Sequence, residues 1–317
     1  MIKKVLLVKT SSLGDLIHNL PVLDDLRSAV PGIEIDWVVE ELFRSVPLLH
    51  PGLAAAIPVA IRRWRSTLWQ RETRSEIAAF LRHLRAQYYD AVIDTQGLLK
   101  SALIAFAARG TRFGYDRHSS REPVEIFYHR TFRISRDFHA VERNRLLMAR
   151  ALDYDASQRC SYGISAAARR FGWLAAGPYA VLLHASSGER KLWGEPDWIA
   201  LGNALNSAGV SCVLPWGSDR ERERSARLTA RLRDAVVPPA LGLDDLAGLL
   251  AGAEVVIGVD TGLTHLAAAL GIPTIGIYCA TDPAATGIYG CARAVNLGGV
   301  GTPPALDEVL NALEQLA

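Results

Sequence analysis

Short runs of Val, Ile and Leu recur along this chain and alternate with amphipathic stretches. Apolar runs this short suit strands buried under helices on both faces of a parallel sheet. The candidate strands are 5–8, 35–39, 91–94, 181–184, 210–214, 255–259 and 274–278. Helical periodicity falls between them, at 21–29, 76–87, 98–108, 196–208, 219–232, 243–251 and 263–270. Such alternation predicts βαβ units and an α/β architecture built on open parallel sheets.

The pattern restarts halfway. Val5-Leu6-Leu7-Val8-Lys9-Thr10-Ser11-Ser12 is echoed by Val181-Leu182-Leu183-His184-Ala185-Ser186-Ser187, each a buried strand running into a hydroxyl-rich loop. A less regular stretch, 153–178, separates them and suits an interdomain connection. The length of 317 residues fits two domains. We expect them at 1–157 and 158–317, both doubly wound and facing each other, with ligands at the carboxyl ends of the strands.

Charge and composition exclude several classes. A balance of 35 Lys+Arg against 33 Asp+Glu is too even for a surface coated in nucleic acid. The opening Met1-Ile2-Lys3-Lys4 leads into only four apolar residues before Lys9, too few for a signal peptide. No apolar run approaches the ~18–20 residues that span a bilayer. A soluble cytoplasmic protein is expected. Cys160, Cys212, Cys279 and Cys291 lie far apart, without the spacing of a zinc or redox site, so free thiols are expected.

The sharpest local signal is Val255-Val256-Ile257-Gly258-Val259-Asp260-Thr261-Gly262-Leu263-Thr264-His265. A buried strand ends at Asp260, Gly262 permits a tight turn, and a helix starts near Leu263. Free N–H groups and the positive helix end would form a phosphate site there. Asp260 or Thr261 serving only as a helix cap is the plainer alternative. The triplet Asp260-Thr261-Gly262 is shared with aspartic proteases, but Asp94-Thr95-Gln96-Gly97 does not repeat it and a βαβ pattern is wrong for an all-β protease.

Two further loops follow strands. Ser186 and Ser187 offer hydroxyls, and Lys191 a compact positive charge, to a diphosphate. A carboxylate within Pro215-Trp216-Gly217-Ser218-Asp219-Arg220-Glu221 would suit ribose hydroxyls, with capping by Ser218 or Asp219 as the alternative. In the first half, Lys9-Thr10-Ser11-Ser12-Leu13-Gly14-Asp15 places a carboxylate after the first strand. Asp15 could accept a proton from an acceptor hydroxyl or cap the first helix, and spacing does not choose between these. Finally, residues 61–74 pack five Arg among two Trp, a match for an acidic, amphiphilic partner or a solvated helix with Trp anchored in the core.

Five blocks together resemble the bacterial lipopolysaccharide heptosyltransferases, closest to the branch acting on Kdo-lipid A. They are Lys9-Thr10-Ser11-Ser12-Leu13-Gly14-Asp15, Pro58-Val59-Ala60-Ile61-Arg62-Arg63-Trp64-Arg65, Tyr89-Asp90-Ala91-Val92-Ile93-Asp94-Thr95-Gln96-Gly97-Leu98, Val259-Asp260-Thr261-Gly262-Leu263-Thr264-His265 and Thr281-Asp282-Pro283. The resemblance implies a GT-B fold: two Rossmann-like domains about a central cleft, acceptor in the N-terminal half and donor in the C-terminal half. It also implies that the last helix, 304–316, packs back on the N-terminal domain. The implied donor is ADP-L-glycero-D-manno-heptose. The implied acceptor is the inner Kdo sugar of Kdo-lipid A.

By resemblance, Asp15 matches the general base, and Ser186, Ser187 and Lys191 the diphosphate loop, with Lys191 stabilising the leaving group. Glu221 matches the ribose contact, and Asp260, Thr261, Gly262 and His265 the donor-sugar and diphosphate loop. Arg62, Arg63, Arg65 and Arg121 match positions that meet Kdo carboxylates and lipid A phosphates. No metal or other cofactor and no nucleic acid are expected; a monomer visiting the cytoplasmic face of the inner membrane is. Ser66 stands where a further basic residue is common, Ser186-Ser187 where Thr is frequent, and Cys279 where Gly usually follows the Tyr. The competing readings are a later-acting heptosyltransferase and a noncatalytic nucleotide-sugar or lipid A binding protein. A carboxylate at Asp15 favours catalysis over binding alone.

Overall fold

The computed structural model describes residues 2–156 and 159–316. The chain forms two compact units that divide between Ile164 and Ser165. The boundary expected at 157/158 lies on residues outside the described set.

The first unit contains β1 (Lys4–Val8), β2 (Glu34–Glu40), β3 (Ala55–Val59), β4 (Tyr88–Asp94), β5 (Arg109–Tyr115) and β6 (Arg130–Phe132). They pair in parallel in the order β3-β2-β1-β4-β5-β6. Its helices are α1 (Leu13–Ile17), α2 (Pro21–Ala29), α3 (Ile61–Thr67), α4 (Arg71–Ala86), α5 (Leu99–Ala107) and α6 (Ala140–Leu152). Residues Val5 to Val8 are wholly buried, as a central strand covered on both faces must be. Pro58 sits in edge strand β3, where a missing N–H costs no ladder bond. α6 packs on α2 through a buried ion pair, Arg145 Nε to Asp25 Oδ2 at 2.7 Å.

The second unit repeats this plan with β7 (Tyr179–Leu183), β8 (Ser211–Val213), β9 (Ala235–Val236), β10 (Val255–Val259), β11 (Thr274–Tyr278) and β12 (Ala294–Gly298). Their order is β12-β11-β10-β7-β8-β9, again all parallel. Around the sheet run α7 (Glu195–Ser207), α8 (Asp219–Thr229), α9 (Leu243–Ala251), α10 (Gly262–Ala269), α11 (Pro283–Thr286) and α12 (Leu306–Leu316). α12 packs on α7, β11 and β12, with Val309 and Ala312 buried in the second unit's own core. Its apolar face, completed by Leu306, Leu310 and Leu313, is covered there.

Both sheets reverse strand order next to a central strand, between β1 and β4 in the first and between β7 and β10 in the second. The loops leaving the carboxyl ends of those strands diverge, which opens a crevice at each reversal. The four cysteines are free thiols.

Candidate active site

In the first unit, the loop after β1 meets the loop after β4. Gln96 ties them together: its Oε1 accepts from the Thr10 N–H at 2.8 Å and the Thr10 hydroxyl at 2.9 Å, and its Nε2 donates to the Ser11 carbonyl at 3.0 Å. Asp94 holds the second loop by accepting from the N–H groups of Gln96 and Gly97 and from the Tyr128 hydroxyl at 2.7 Å. Gly97 takes φ +65°, which lets the chain turn sharply into α5.

These loops frame a pocket of about 280 Å³. Asp15 stands on its wall. One oxygen, Oδ2, accepts from the Ser12 N–H at 2.9 Å and from the Ser12 hydroxyl at 3.0 Å. The other, Oδ1, faces the Arg121 guanidinium at 3.9 Å. Burial alone would raise the Asp15 carboxyl, but Lys9, the Ser12 donors and Arg121 outweigh it and hold the group below its usual value. Asp15 is therefore ionised at neutral pH. Lys9, Lys100, Arg121 and Arg143 also line the pocket, so four cations surround one carboxylate. That surplus attracts an anionic ligand.

Three of these cations, Lys9, Lys100 and Arg143, and Gln96 are not among the residues that the sequence patterns single out. Lys9 and Gln96 stand inside quoted motifs, and Lys100 lies just beyond one. Lys9 Nζ donates to the Thr95 carbonyl at 2.9 Å and is pushed down by burial. Lys100 Nζ donates to the Ser11 hydroxyl at 2.7 Å. Arg143, on α6, carried no local signal.

The arginines of α3 separate into two kinds. Arg63 is engaged by the chain itself: Nε and Nη2 reach Glu41 at 3.1 Å and Nη1 reaches Glu76 at 2.8 Å. Those carboxylates hold its guanidinium well above the usual range. Arg62 lies over the Phe43 ring at 5.2 Å, and Arg65 is exposed. Both act on Lys100, whose ammonium is lowered by burial and by these two cations while Glu40 and Asp15 pull the other way. Lys100 is itself part of the wall of the Asp15 pocket. Trp64 packs edge-on against Phe80, whereas Trp69 is 93% exposed, so only the first Trp is anchored.

In the second unit Asp260 is the hub. Its Oδ2 accepts from Lys191 Nζ at 2.7 Å and from the Thr281 hydroxyl at 2.8 Å. Its Oδ1 lies 3.3 Å from His265 Nε2, and its carbonyl accepts from the Ser186 hydroxyl at 2.9 Å. Burial would raise this carboxyl, but His265, Lys191 and Thr281 hold it far below the usual range. One side chain thereby fastens the loops after β7, β10 and β11. Thr281, quoted in a motif but given no role, is the third fastening.

Thr261 is the N-cap of α10 and Gly262 its first residue. Gly258 lets that helix approach β10, because a Cβ there would stand 2.1 Å from the Thr264 hydroxyl. Beside the loop after β7, Ser186, Ser187, Glu221 and Arg224 line a pocket of about 430 Å³. A second opening of about 790 Å³ runs past Lys191, Ala280 and Gly301. Glu221 also closes a turn, with Oε2 accepting from the Gly217 N–H at 2.7 Å. Capping and ligand contact are compatible there. Among the described residues, no group of three His, Cys, Asp or Glu is placed to hold a metal ion.

Residues 77–309 match glycosyltransferase family 9 (heptosyltransferase). Lipopolysaccharide heptosyltransferase 1 of Pseudomonas aeruginosa is 48% identical over 298 residues, covering 93% of this chain and 83% of that one. Its Escherichia coli K12 counterpart is 45% identical over 292 residues, 90% of this chain and 91% of that one. The fold superposes on E. coli heptosyltransferase WaaC with ADP at TM-score 0.90 and 41% identity, covering 99% of this chain and all of the other, 100%. E. coli ADP-heptose LPS heptosyltransferase II, at 20% identity and TM-score 0.78 over 99% of this chain and 98% of that one, shares the fold. The doubly wound α/β class expected from the strand pattern is the class found. The chain belongs to glycosyltransferase family 9, the heptosyltransferases.

Proposed function

We propose that this glycosyltransferase moves L-glycero-D-manno-heptose from ADP-heptose to the inner Kdo of Kdo-lipid A, with inversion, in lipopolysaccharide inner-core synthesis. The observation that carries this reading is the Asp15 pocket: an ionised carboxylate, one oxygen 3.9 Å from Arg121, in a wall where cations outnumber it four to one. An acidic sugar acceptor suits that balance. The lipopolysaccharide heptosyltransferases 1, at 45–48% identity, support the same assignment.

In this mechanism Asp15 takes the proton of the acceptor hydroxyl as its oxygen bonds to the heptose anomeric carbon. The bond from that carbon to the diphosphate oxygen breaks on the opposite face. Lys191, the Ser186 and Ser187 hydroxyls and the N–H groups opening α10 stabilise the charge gained by departing ADP. Asp260 orients Lys191 before donor arrives, and Glu221 meets the ribose. Lys191 and the helix end supply the positive charge in this scheme, so a chelator leaves turnover unchanged. Arg62, Arg65 and Arg121 meet the acceptor's carboxylate and phosphates. No described helix is long and apolar enough to cross a membrane, in keeping with a peripheral visitor to the lipid surface that holds the acceptor.

The test is ADP release from ADP-heptose with and without O-deacylated Kdo-lipid A, and mass spectrometry of the acceptor. Acceptor-dependent release with one added heptose is expected. Donor binding without transfer to this acceptor, but with transfer to a heptosylated one, would replace the reading with a later-acting enzyme.

A further inference from the structure

Helix α5 breaks the usual rule for a helix on the outside of a sheet. Its inner face is buried through Ser101, Ala102, Ile104 and Ala105, as expected. Its outer face should then be polar. Instead it shows Leu99, Leu103 and Phe106, which are 49%, 50% and 56% exposed. Their i, i+4, i+7 spacing lines them along one stripe of about 10 Å. Ile126, 82% exposed on the turn Glu125–Phe127 that packs on α5, extends the patch. The neighbouring helix α4 carries Arg and Glu outward and shows no such stripe.

Two observations say what covers this face. It is flanked by cations, Lys100 on α5 itself and Arg112, whose guanidinium lies 5.1 Å from the Phe106 ring, while Glu122 Oε2 accepts from the Leu99 N–H at 2.6 Å at the N-terminal end. It is also continuous with the pocket, because Leu98 and Lys100 at the start of α5 line the cavity that contains Asp15. We propose that the outer face of α5, with Ile126, is the surface by which this protein rests on an anionic phospholipid bilayer, which brings a lipid-anchored acceptor to the Asp15 pocket. Apolar side chains enter the interface while the arginine and lysine rim meets phosphate headgroups. A second copy fits less well, since a two-fold contact through this patch would set the same cations against one another.

The role given to the lipid rests on the proposed acceptor, whereas the vesicle measurement does not depend on it. Sedimentation with phosphatidylethanolamine–phosphatidylglycerol vesicles, compared with phosphatidylcholine vesicles, reads the docking directly. The intact protein binds the anionic vesicles, more weakly as salt rises. The variant carrying Leu103→Glu and Phe106→Glu, both on an exposed face and so compatible with folding, binds them at least roughly tenfold more weakly. It transfers heptose to O-deacylated, soluble acceptor at the parent rate but loses transfer to acceptor embedded in vesicles. Equal vesicle binding by parent and variant overturns the proposal. So does a concentration-dependent dimer that the substitutions abolish while vesicle binding persists. If the parent transfers nothing to soluble acceptor yet the variant loses vesicle binding, the functional reading fails and the docking surface stands.

Discussion

In the first unit, the carboxylate beside the strand reversal, Asp15, has one oxygen satisfied by Ser12 and the other directed at Arg121 across 3.9 Å. In the second unit, Asp260 has both oxygens engaged, by Lys191, Thr281 and His265. The two sheets share one strand order, so the contrast comes from the loops. An ionised carboxylate with unfilled accepting capacity suits the proton-accepting role proposed for Asp15. A carboxylate saturated by donors can only organise them. Both carboxylates flank a reversal, but Asp15 follows the first strand of its unit and Asp260 the fourth of its own, and the loops fill the hydrogen-bonding capacity of Asp260 more completely.

The contrast is broken most severely at Asp15, the proposed base. Asp15→Asn keeps the shape and the Ser12 contacts but removes the proton acceptor, so turnover falls by roughly two to four orders of magnitude. Donor affinity, read by ADP-heptose titration, is retained. Loss of donor binding with unchanged turnover of bound donor would assign Asp15 to the donor site instead.

Removal of the hub's charged partner comes next. Lys191→Met lowers turnover by roughly a hundredfold, through lost stabilisation of departing ADP. Asp260→Asn weakens the fastening of three loops and destabilises the fold by about 2 kcal/mol, the scale of charge-assisted hydrogen bonds in a partly buried site. Denaturant unfolding of the second unit checks this. Equal unfolding midpoints for Asp260→Asn and Asp15→Asn would erase the distinction between hub and base.

The α3 arginines give a smaller effect. Arg62→Gln and Arg65→Gln each raise the acceptor KM several-fold, the scale of one partly exposed charge contact. Arg63→Gln changes it little, because Glu41 and Glu76 already engage that guanidinium. Steady-state kinetics on soluble acceptor separates the three.

Acidification has the mildest signature. Both carboxyls are held below their unfolded values, so the stability they confer is present above about pH 4, and it is lost as pH falls through the folded values. His184 acts earlier. Burial pushes it down to about 4, and its Nε2 lies 2.8 Å from the Ser225 hydroxyl. Between its ordinary value of about 6.5 and that depressed value, the unfolded state binds the extra proton, so stability declines through this window. Thermal unfolding across pH 7 to about 4.5 shows the decline, and His184→Asn flattens it.

The strand-forming core was legible because it is local. Val5–Val8, Val255–Val259 and Thr274–Tyr278 announce themselves by apolar runs, and all three lie in central positions covered on both faces. β5 and β6 were not anticipated. Arg109, Thr111, Arg112 and Arg130 dilute their hydropathy, and it is the pairing of β5 with β4 and of β6 with β5 that makes them strands. α6 was hidden by three arginines, one of which, Arg145, is buried only because Asp25 waits for it 120 residues away in sequence.

The same division runs through the candidate site. Asp15 with Ser12, and Asp260 with Thr261 and His265, are short-range arrangements that a strand–loop–helix sequence dictates by itself. The sequence by itself therefore determined two doubly wound halves and the carboxylate beside each reversal. Only the tertiary structure decided what each carboxylate can do. Lys191 and Thr281 reach Asp260, Arg121 and Lys9 surround Asp15, and Glu41 and Glu76 occupy Arg63, because strand order brings separate loops to one edge of a sheet. Hydrogen-bond capacity is used up by whichever partner the fold delivers, and for Asp260 the partners Lys191 and Thr281 come from loops after other strands.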